Sequence, residues 1–300
     1  MEIKSFLVQE IDNNIRLDRW FQRNVPLMPF IIMAKLLRKG QIRVDGKRAK
    51  IHLKIKTNQK IRAPIITFDD KKKNQLIIPN NFDEYKAEFD NSIIFEDENF
   101  IVLNKPYGLC VQDGTKVKMS VDRILKISKI EGKIVHRIDK ETTGLLLVAK
   151  NSAIASKISE LLRERKVKKK YLAVLCGILE KAEGSINIPI KKSEGDSETE
   201  LPSQTNYKVL KQYKDKFSLV EMTPITGRKH QIRIHCAAIG HPILGDRKHK
   251  TLNDSAIFQH EFLHLHAHCL NFELMEKPYE LQAKLPTHFL DTLKKYKLDF

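Results

Sequence analysis

The stretch from Val135 to Lys150 restricts this chain more than any other. It reads VHRIDKETTGLLLVAK, a polar loop running straight into an apolar strand. Leu145 to Ala149 is apolar without interruption, the pattern of a strand covered on both faces. Such a strand holds its leading loop firmly. That loop crowds His136, Arg137, Asp139, Lys140 and Glu141 ahead of a Thr142-Thr143-Gly144 turn. A carboxylate between Arg137 and Lys140 is expected to stay ionised and to be aimed. Two readings of Asp139 stand at this point: a catalytic carboxylate on a functional loop, or a turn residue hydrogen-bonding its own backbone.

The 300 residues leave room for one large domain and a small one. The longest apolar runs, PFIIMA and GLLLVA, fall far short of the roughly 20 residues a membrane helix needs. The opening MEIKSFLVQEIDNN lacks the basic start and apolar core of a secretory signal. We therefore expect a cytoplasmic protein, off the membrane. Cys110, Cys176, Cys236 and Cys269 are widely separated, which suits core thiols of a reducing compartment better than a disulfide framework or zinc cage. The net charge of +17 favours a polyanionic partner, and without an amphipathic anchor nucleic acid fits better than a membrane surface. Met1 to Asn80 holds 18 Lys and Arg against 7 Asp and Glu, so the N-terminal part carries most of that surplus.

Within that basic part, apolar spacing predicts two helices over residues 14–40, broken at Pro26 and Pro29 and stopped at Gly40. Strand alternation follows at Ile42 and Val44, an Asp45-Gly46 hairpin turn, then alternation again at Ile51, Leu53 and Ile55, and a strand from Ile61 to Pro64. The pattern RLDRW…LLRKGQIRVDGKRAK resembles the S-four domain, a small RNA-binding domain named after a small-subunit ribosomal protein. The resemblance implies that Lys35, Arg38, Lys39, Arg43, Lys47 and Arg48 face RNA, where phosphate contacts would absorb the charge. We place this domain at 1–64, a linker at 65–92, and a catalytic domain at 93–300.

The second domain opens with a predicted hairpin over Ile93 to Leu103, closed by NKPYG. A helix is expected from Ser152 to Arg165. A basic run from Arg163 to Lys170 then meets Tyr171 at the start of a Val/Leu strand. Tyr171 fits two roles, a ring stacked on a base or a half-buried strand tyrosine. Residues 180–204 read as a short strand and a mobile polar loop with no chemistry. Strands are expected at Thr205 to Leu210 and Lys216 to Met222. TGRKHQIRIH then suggests a short amphipathic helix grouping Arg228, Lys229, His230 and Arg233. His264, His266 and His268 alternate along HLHAHCLNFEL, but same-face strand side chains diverge, so an interior polar face is expected rather than a metal site.

Five motifs occur in order: NKPYG (104–108), HRIDKETTG (136–144), KKKYLA (168–173), TGRKHQIRIH (226–235) and GHPILGD (240–246). Together they resemble the RluA family of pseudouridine synthases over about residues 93–285. The preceding basic domain matches the RluC subgroup, which acts on large-subunit ribosomal RNA. The resemblance implies an α+β protein: a small α/β RNA-binding domain of two helices and a small sheet, then a mixed, mainly antiparallel sheet with flanking helices. It implies Asp139 as catalytic carboxylate, Arg137 filling the place of the extruded nucleotide, Tyr171 stacking on the target base, and Arg233 pairing with Asp139. Ile232 would line the pocket, with Arg228 and His230 binding substrate.

Isomerising uridine to its carbon-linked form loses no group and oxidises nothing, so neither cofactor nor metal is expected. A single carboxylate suffices as nucleophile or base, whereas a glycosidase would need a second one at a defined separation. The base must leave its stack, hence the filler and the ring. The expected partner is structured RNA and the expected state a monomer. A non-catalytic RNA-binding assembly factor, or a synthase acting on transfer RNA, are the competing readings. Tyr107 and Gln112 depart from a frequent serine and histidine of the family and bear on RNA choice.

Overall fold

The computed structural model of the chain describes residues 2–25, 28–65, 78–114, 117–194, 197–249 and 260–299. Two compact units divide it, Met1–Ile77 and Ile78–Phe300.

The first unit contains β1 (Glu2–Leu7), α1 (Leu17–Asn24), α2 (Phe30–Arg38), β2 (Arg43–Val44), β3 (Lys47–Arg48) and β4 (Lys60–Ile65), its sheet ordered β1-β4-β2-β3. Its core is the apolar side of both helices, with Leu17, Trp20, Phe21, Met33, Leu36 and Leu37 buried against Ile42, Val44 and Ile61. The alternation at Ile51, Leu53 and Ile55 does not make a strand. The carbonyls of Leu53 and Ile51 instead accept the Leu17 and Asp18 amides, satisfying orphan N–H groups at the start of α1. Of the three apolar side chains only Ile55 is fully buried, and Leu53 is exposed.

The second unit begins before residue 93. Part of the expected linker is α3 (Phe82–Asn91), in which Phe82, Tyr85 and Phe89 recur on one face and pack on the core, Phe89 fully buried. Residues 66–77 of the expected linker lie outside the described residues. There follow β5 (Ile93–Glu96), β6 (Phe100–Lys105), α4 (Val121–Ile127), β7 (Lys133–Ile134), β8 (Thr143–Ala149), α5 (Ser152–Arg163), β9 (Lys168–Cys176), β10 (Glu183–Ile186), β11 (Ile190–Glu194), β12 (Ser197–Leu201), β13 (Thr205–Tyr213), β14 (Phe217–Pro224), α6 (Gln231–Ala238), β15 (Leu265–Leu274), β16 (Lys277–Gln282) and α7 (Thr287–Lys295). The main sheet runs β10-β13-β14-β9-β15-β8-β6-β5, with β16 on β15 and β7 on β8. Its pairs are antiparallel except β15 with β8. The polar segment expected to be a mobile loop holds an antiparallel hairpin, β11 with β12, beyond β10. Backbone pairing, which needs no apolar period, supplies it.

Both faces of the sheet centre are covered. Along β9, Ala173 and Leu175 pack toward α6 and its Ile232 and Cys236, while Leu172 and Val174 pack toward Phe289 and Leu293 of α7. All seven residues of β8 are buried. His264, His266 and His268 occupy an interior polar seam: His264 bonds Thr292 at 2.8 Å, His266 bonds Thr143 at 2.8 Å, and His268 bonds the Ala283 carbonyl at 3.0 Å.

Candidate active site

The Asp139 loop is fixed from both sides. The Leu147 amide of β8 donates to His136 Nε2 at 2.9 Å. That amide lies in a gap, since β15 pairs with β8 at Thr143 and Gly144 and β7 pairs with it at Val148 and Ala149. The imidazole stands in for the missing strand partner. Its Nε2 accepts, so the neutral ring carries its proton on Nδ1, and burial with Lys169 nearby pushes its pKa down to about 4. From the other side Lys105, wholly buried, donates to the carbonyls of Pro106 (2.7 Å), Leu109 (3.0 Å) and Lys140 (3.1 Å). These acceptors satisfy all three ammonium protons, although burial pushes the Lys105 pKa down to about 7. Gly144 lets β15 close in: at φ +102°, a Cβ there would lie 2.2 Å from the Ala267 carbonyl oxygen.

The opposite wall is the turn into α6. The basic residues Arg228, Lys229 and His230 precede the helix rather than lying on it. Helix α6 starts at Gln231, and His230 sits before it in the left-handed region at φ 55°, uncommon for a residue with a side chain. Gln231 sets this geometry. Its Oε1 accepts from the Arg228 amide and the Thr226 hydroxyl, and its Nε2 donates to the Gln204 carbonyl and Thr205 hydroxyl.

Arg233 departs from the expected pairing. Its Nε and Nη2 each donate to a carboxylate oxygen of Asp246 at 2.7 Å, and its Nη1 lies 2.8 Å from Glu141. Asp139 is 4.0 Å from Nη1, an ion pair without hydrogen-bond contact. Burial alone would raise the Asp246 pKa, but the Arg233 hydrogen bonds and the His249 and Lys248 amides overcome it and hold the carboxyl below its usual range. Asp139 goes the other way. Burial pushes its pKa above the ordinary carboxylate value, against Arg233, Arg137 and Lys229. Arg137 and Lys140 are both exposed, and desolvation outweighs the nearby cations in setting the direction of the shift.

Asp139, Arg137, Tyr171, Arg228, His230, Ile232 and Arg233 all line one cavity of about 610 Å³. Burial raises the Tyr171 pKa, with Asp139 adding to it, so its phenol stays protonated. The His230 pKa is pushed down to about 4 by burial and then by Arg233.

A sequence profile described as RNA pseudouridylate synthase matches residues 99–238. The ribosomal large subunit pseudouridine synthase C of Rickettsia felis is 36% identical over 294 residues, covering 92% of this chain and 95% of that one. That of Vibrio parahaemolyticus is 32% identical, covering 90% of each. The chain belongs to the RNA pseudouridylate synthase family. Among solved structures, human RNA pseudouridylate synthase domain containing 4 superposes with a TM-score of 0.62 at 29% identity, covering 71% of this chain and 96% of that one.

As a pseudouridine synthase the chain is an isomerase, and its seven sequence-predicted pocket residues meet in one place. Lys35, Arg38, Lys39, Arg43, Lys47 and Arg48 all lie exposed on the first unit. Arg43 pairs across the sheet with Arg48 on one side and Arg62 on the other; sequence reading missed Arg62, which its strand position could have flagged. Asp246, Lys105 and Gln231 were also missed as site-builders, although each falls inside a recognised motif. Tyr107 packs edge-on against Phe262, ring centres 5.0 Å apart, and Gln112 is exposed.

Proposed function

We propose that this enzyme isomerises specific uridines in large-subunit ribosomal RNA, with Asp139 as the reacting carboxylate. One observation carries the reading. Asp139 stands in a cavity large enough for a nucleotide, 4.0 Å from a guanidinium already held by another carboxylate, with Tyr171 in the same lining. A carboxylate left outside direct hydrogen bonding keeps lone pairs to use, while positive potential favours its charged form. Tyr171, as a phenol rather than a phenolate, offers a neutral face for the extruded uracil. Arg137, exposed at the mouth, fills the gap left in the RNA. Ile232 bounds the pocket, and Arg228 and His230 bind substrate. With Asp139 the nitrogen–ribose bond breaks, the trapped base rotates and C5 joins the ribose. The C5 proton leaves and N1 gains one, so nothing is consumed.

The substrate class is supported by the relatives, large-subunit pseudouridine synthases aligned over nearly the whole chain, and by the charge. An Arg48–Arg43–Arg62 row on one sheet face is unfavourable by itself and suits RNA phosphates, with Lys35, Arg38, Lys39 and Lys47 nearby in the chain. We take the protein to act in the cytoplasm as a monomer. Asp139→Asn is expected to abolish pseudouridine formation while RNA binding stays within about threefold, since it removes a charge and keeps the shape. Substantial residual isomerisation would reject the assignment. Mapping pseudouridines in ribosomal RNA with and without the gene identifies the sites, and a change confined to transfer RNA would reject the substrate. Replacing Arg43, Arg48 and Arg62 together with Gln is expected to lower the salt-dependence slope of RNA binding by about two to three; an unchanged slope would refute the row's role.

A further inference from the structure

We propose that His249 is a positioning residue for the isomerisation: its hydrogen bond to His230 sets which ring nitrogen of His230 presents a proton to Asp139. The proposal rests on the reading of Asp139 as the reacting carboxylate. His230 Nδ1 lies 2.8 Å from His249 Nε2, and the other His230 nitrogen, Nε2, lies 3.7 Å from Asp139. A neutral imidazole donates at one nitrogen and accepts at the other. Two arrangements therefore exist. When His249 donates to Nδ1, the Nε2–H of His230 faces the carboxylate. When His230 donates to His249, a lone pair faces the carboxylate instead. A His249 that donates from Nε2 fixes the first arrangement, and the charge of Asp139 acts in the same direction while it is ionised.

The pair is built rather than incidental. The His249 and Lys248 amides both donate to Asp246 Oδ1, at 3.0 and 2.9 Å, and Asp246 is the carboxylate that grips Arg233. His230 is held in its left-handed conformation, and the two rings cross at 84° with centres 5.1 Å apart. One buried carboxylate thus holds both Arg233, 4.0 Å from the reacting group, and His249, the partner of His230. Arg233, Lys248 and Lys229 face His230. Arg233, Arg137, Lys229 and His249 itself act on Asp139, and Tyr171, Lys105 and His249 feel its charge in turn. Glu141 partly offsets Arg233. With burial, this cationic surround keeps both imidazoles below their ordinary pKa, so the pair works as two neutral rings near pH 7.

The test uses the full-length protein labelled with nitrogen-15 at histidine and long-range proton–nitrogen correlation spectra near pH 7.5. His230 is expected to be protonated at Nε2 in the wild type, to become a tautomer mixture in His249→Leu, and to recover in His249→Gln, whose amide can still donate. In parallel, the acid limb of kcat should rise by about half a pH unit or more in His249→Leu, with KM within about twofold, and return with His249→Gln, because turning the positive N–H end of the His230 ring away from the charged form raises a carboxylate pKa. A wild-type His230 protonated at Nδ1, or an acid limb that His249→Leu leaves in place, overturns the proposal. If His249→Leu does not fold, the wild-type spectrum and the Gln variant decide. A wild type inactive on RNA would instead remove the functional reading.

Discussion

Asp246→Asn is the sharpest probe of how this site is built. The side chain is fully buried, and its two oxygens accept four N–H groups: Arg233 Nε on one, and Arg233 Nη2, Lys248 and His249 on the other. An amide in the same place keeps its oxygen toward the three donors and turns its NH2 against Arg233 Nε, donor against donor. Breaking a buried ion pair from one side costs about 3–5 kcal/mol. Glu141 still holds Arg233 Nη1 from a half-exposed position, so we expect the lower end, roughly 3 kcal/mol. For a unit the size of Ile78–Phe300, this lowers Tm by roughly 6–12 °C. The pH dependence supplies a second check. A carboxyl with a depressed folded pKa contributes stability above its unfolded value, near 3.9, and loses it as pH falls through the folded value. The Tm gap between wild type and Asp246→Asn should therefore be full at pH 7.5, nearly full at 5.5 and reduced at 3.5 in scanning calorimetry. A gap under about 2 °C, or one that grows in acid, would refute the argument.

The buried histidines give the opposite end of the same linkage. Burial pushes His264 and His266 down to about 4 and about 3, so their stabilisation is complete above pH 6.5 and is lost on acidification at up to about 1.4 kcal/mol per pH unit each; a Tm flat between pH 7 and 5 would contradict this. Lys105→Met keeps length but strips three donors from buried carbonyls, of which only Lys140 has a second donor, Gly108. We expect a loss of roughly 2–4 kcal/mol in urea unfolding and a lower kcat from the loosened Asp139 loop, and a midpoint equal to wild type would sink that role.

What was legible in the sequence was what apolar period and motif chemistry encode. The unbroken run of β8 announced a strand covered on both faces, and the charge surplus announced a polyanion. The misses have separate causes. In α3 the Phe82, Tyr85 and Phe89 spacing is helical, but Asp83, Glu84, Glu88 and Asp90 around it read as a solvated linker. Ile51, Leu53 and Ile55 alternate like a strand in sequence, but the backbone there serves the start of α1 through the Ile51 and Leu53 carbonyls, and Leu53 stays exposed. The β11–β12 hairpin rests on backbone pairing that side-chain pattern does not report. The Arg233–Asp139 ion pair is present at 4.0 Å, but the sequence did not show that Asp246 and Glu141 share the same guanidinium at shorter range, because only their placement in the fold ranks three available acids.

That ranking makes chemical sense. Were Asp139 the bidentate partner of Arg233, two strong charge-assisted bonds would depress its pKa and occupy the lone pairs that its proposed role, attack on a ribose or uptake of a proton, requires. Giving those bonds to Asp246 fixes the guanidinium at no cost to Asp139's reactivity. Nη1 is left to Glu141, whose half-exposed side chain can move when RNA phosphates approach, whereas Asp246 cannot. Desolvation then raises Asp139 and the residual positive field opposes the rise, leaving a carboxylate more basic than an exposed aspartate. Rigidity comes from beneath, through His136 on the β8 amide and Lys105 on the loop carbonyl. Aim and electronic state thus rest on overlapping residues. Lys105→Met should loosen the loop and, since Asp139 and the buried Lys105 charge act on each other, also raise the acid limb of the pH profile, whereas His249→Leu should shift that limb without loosening the loop.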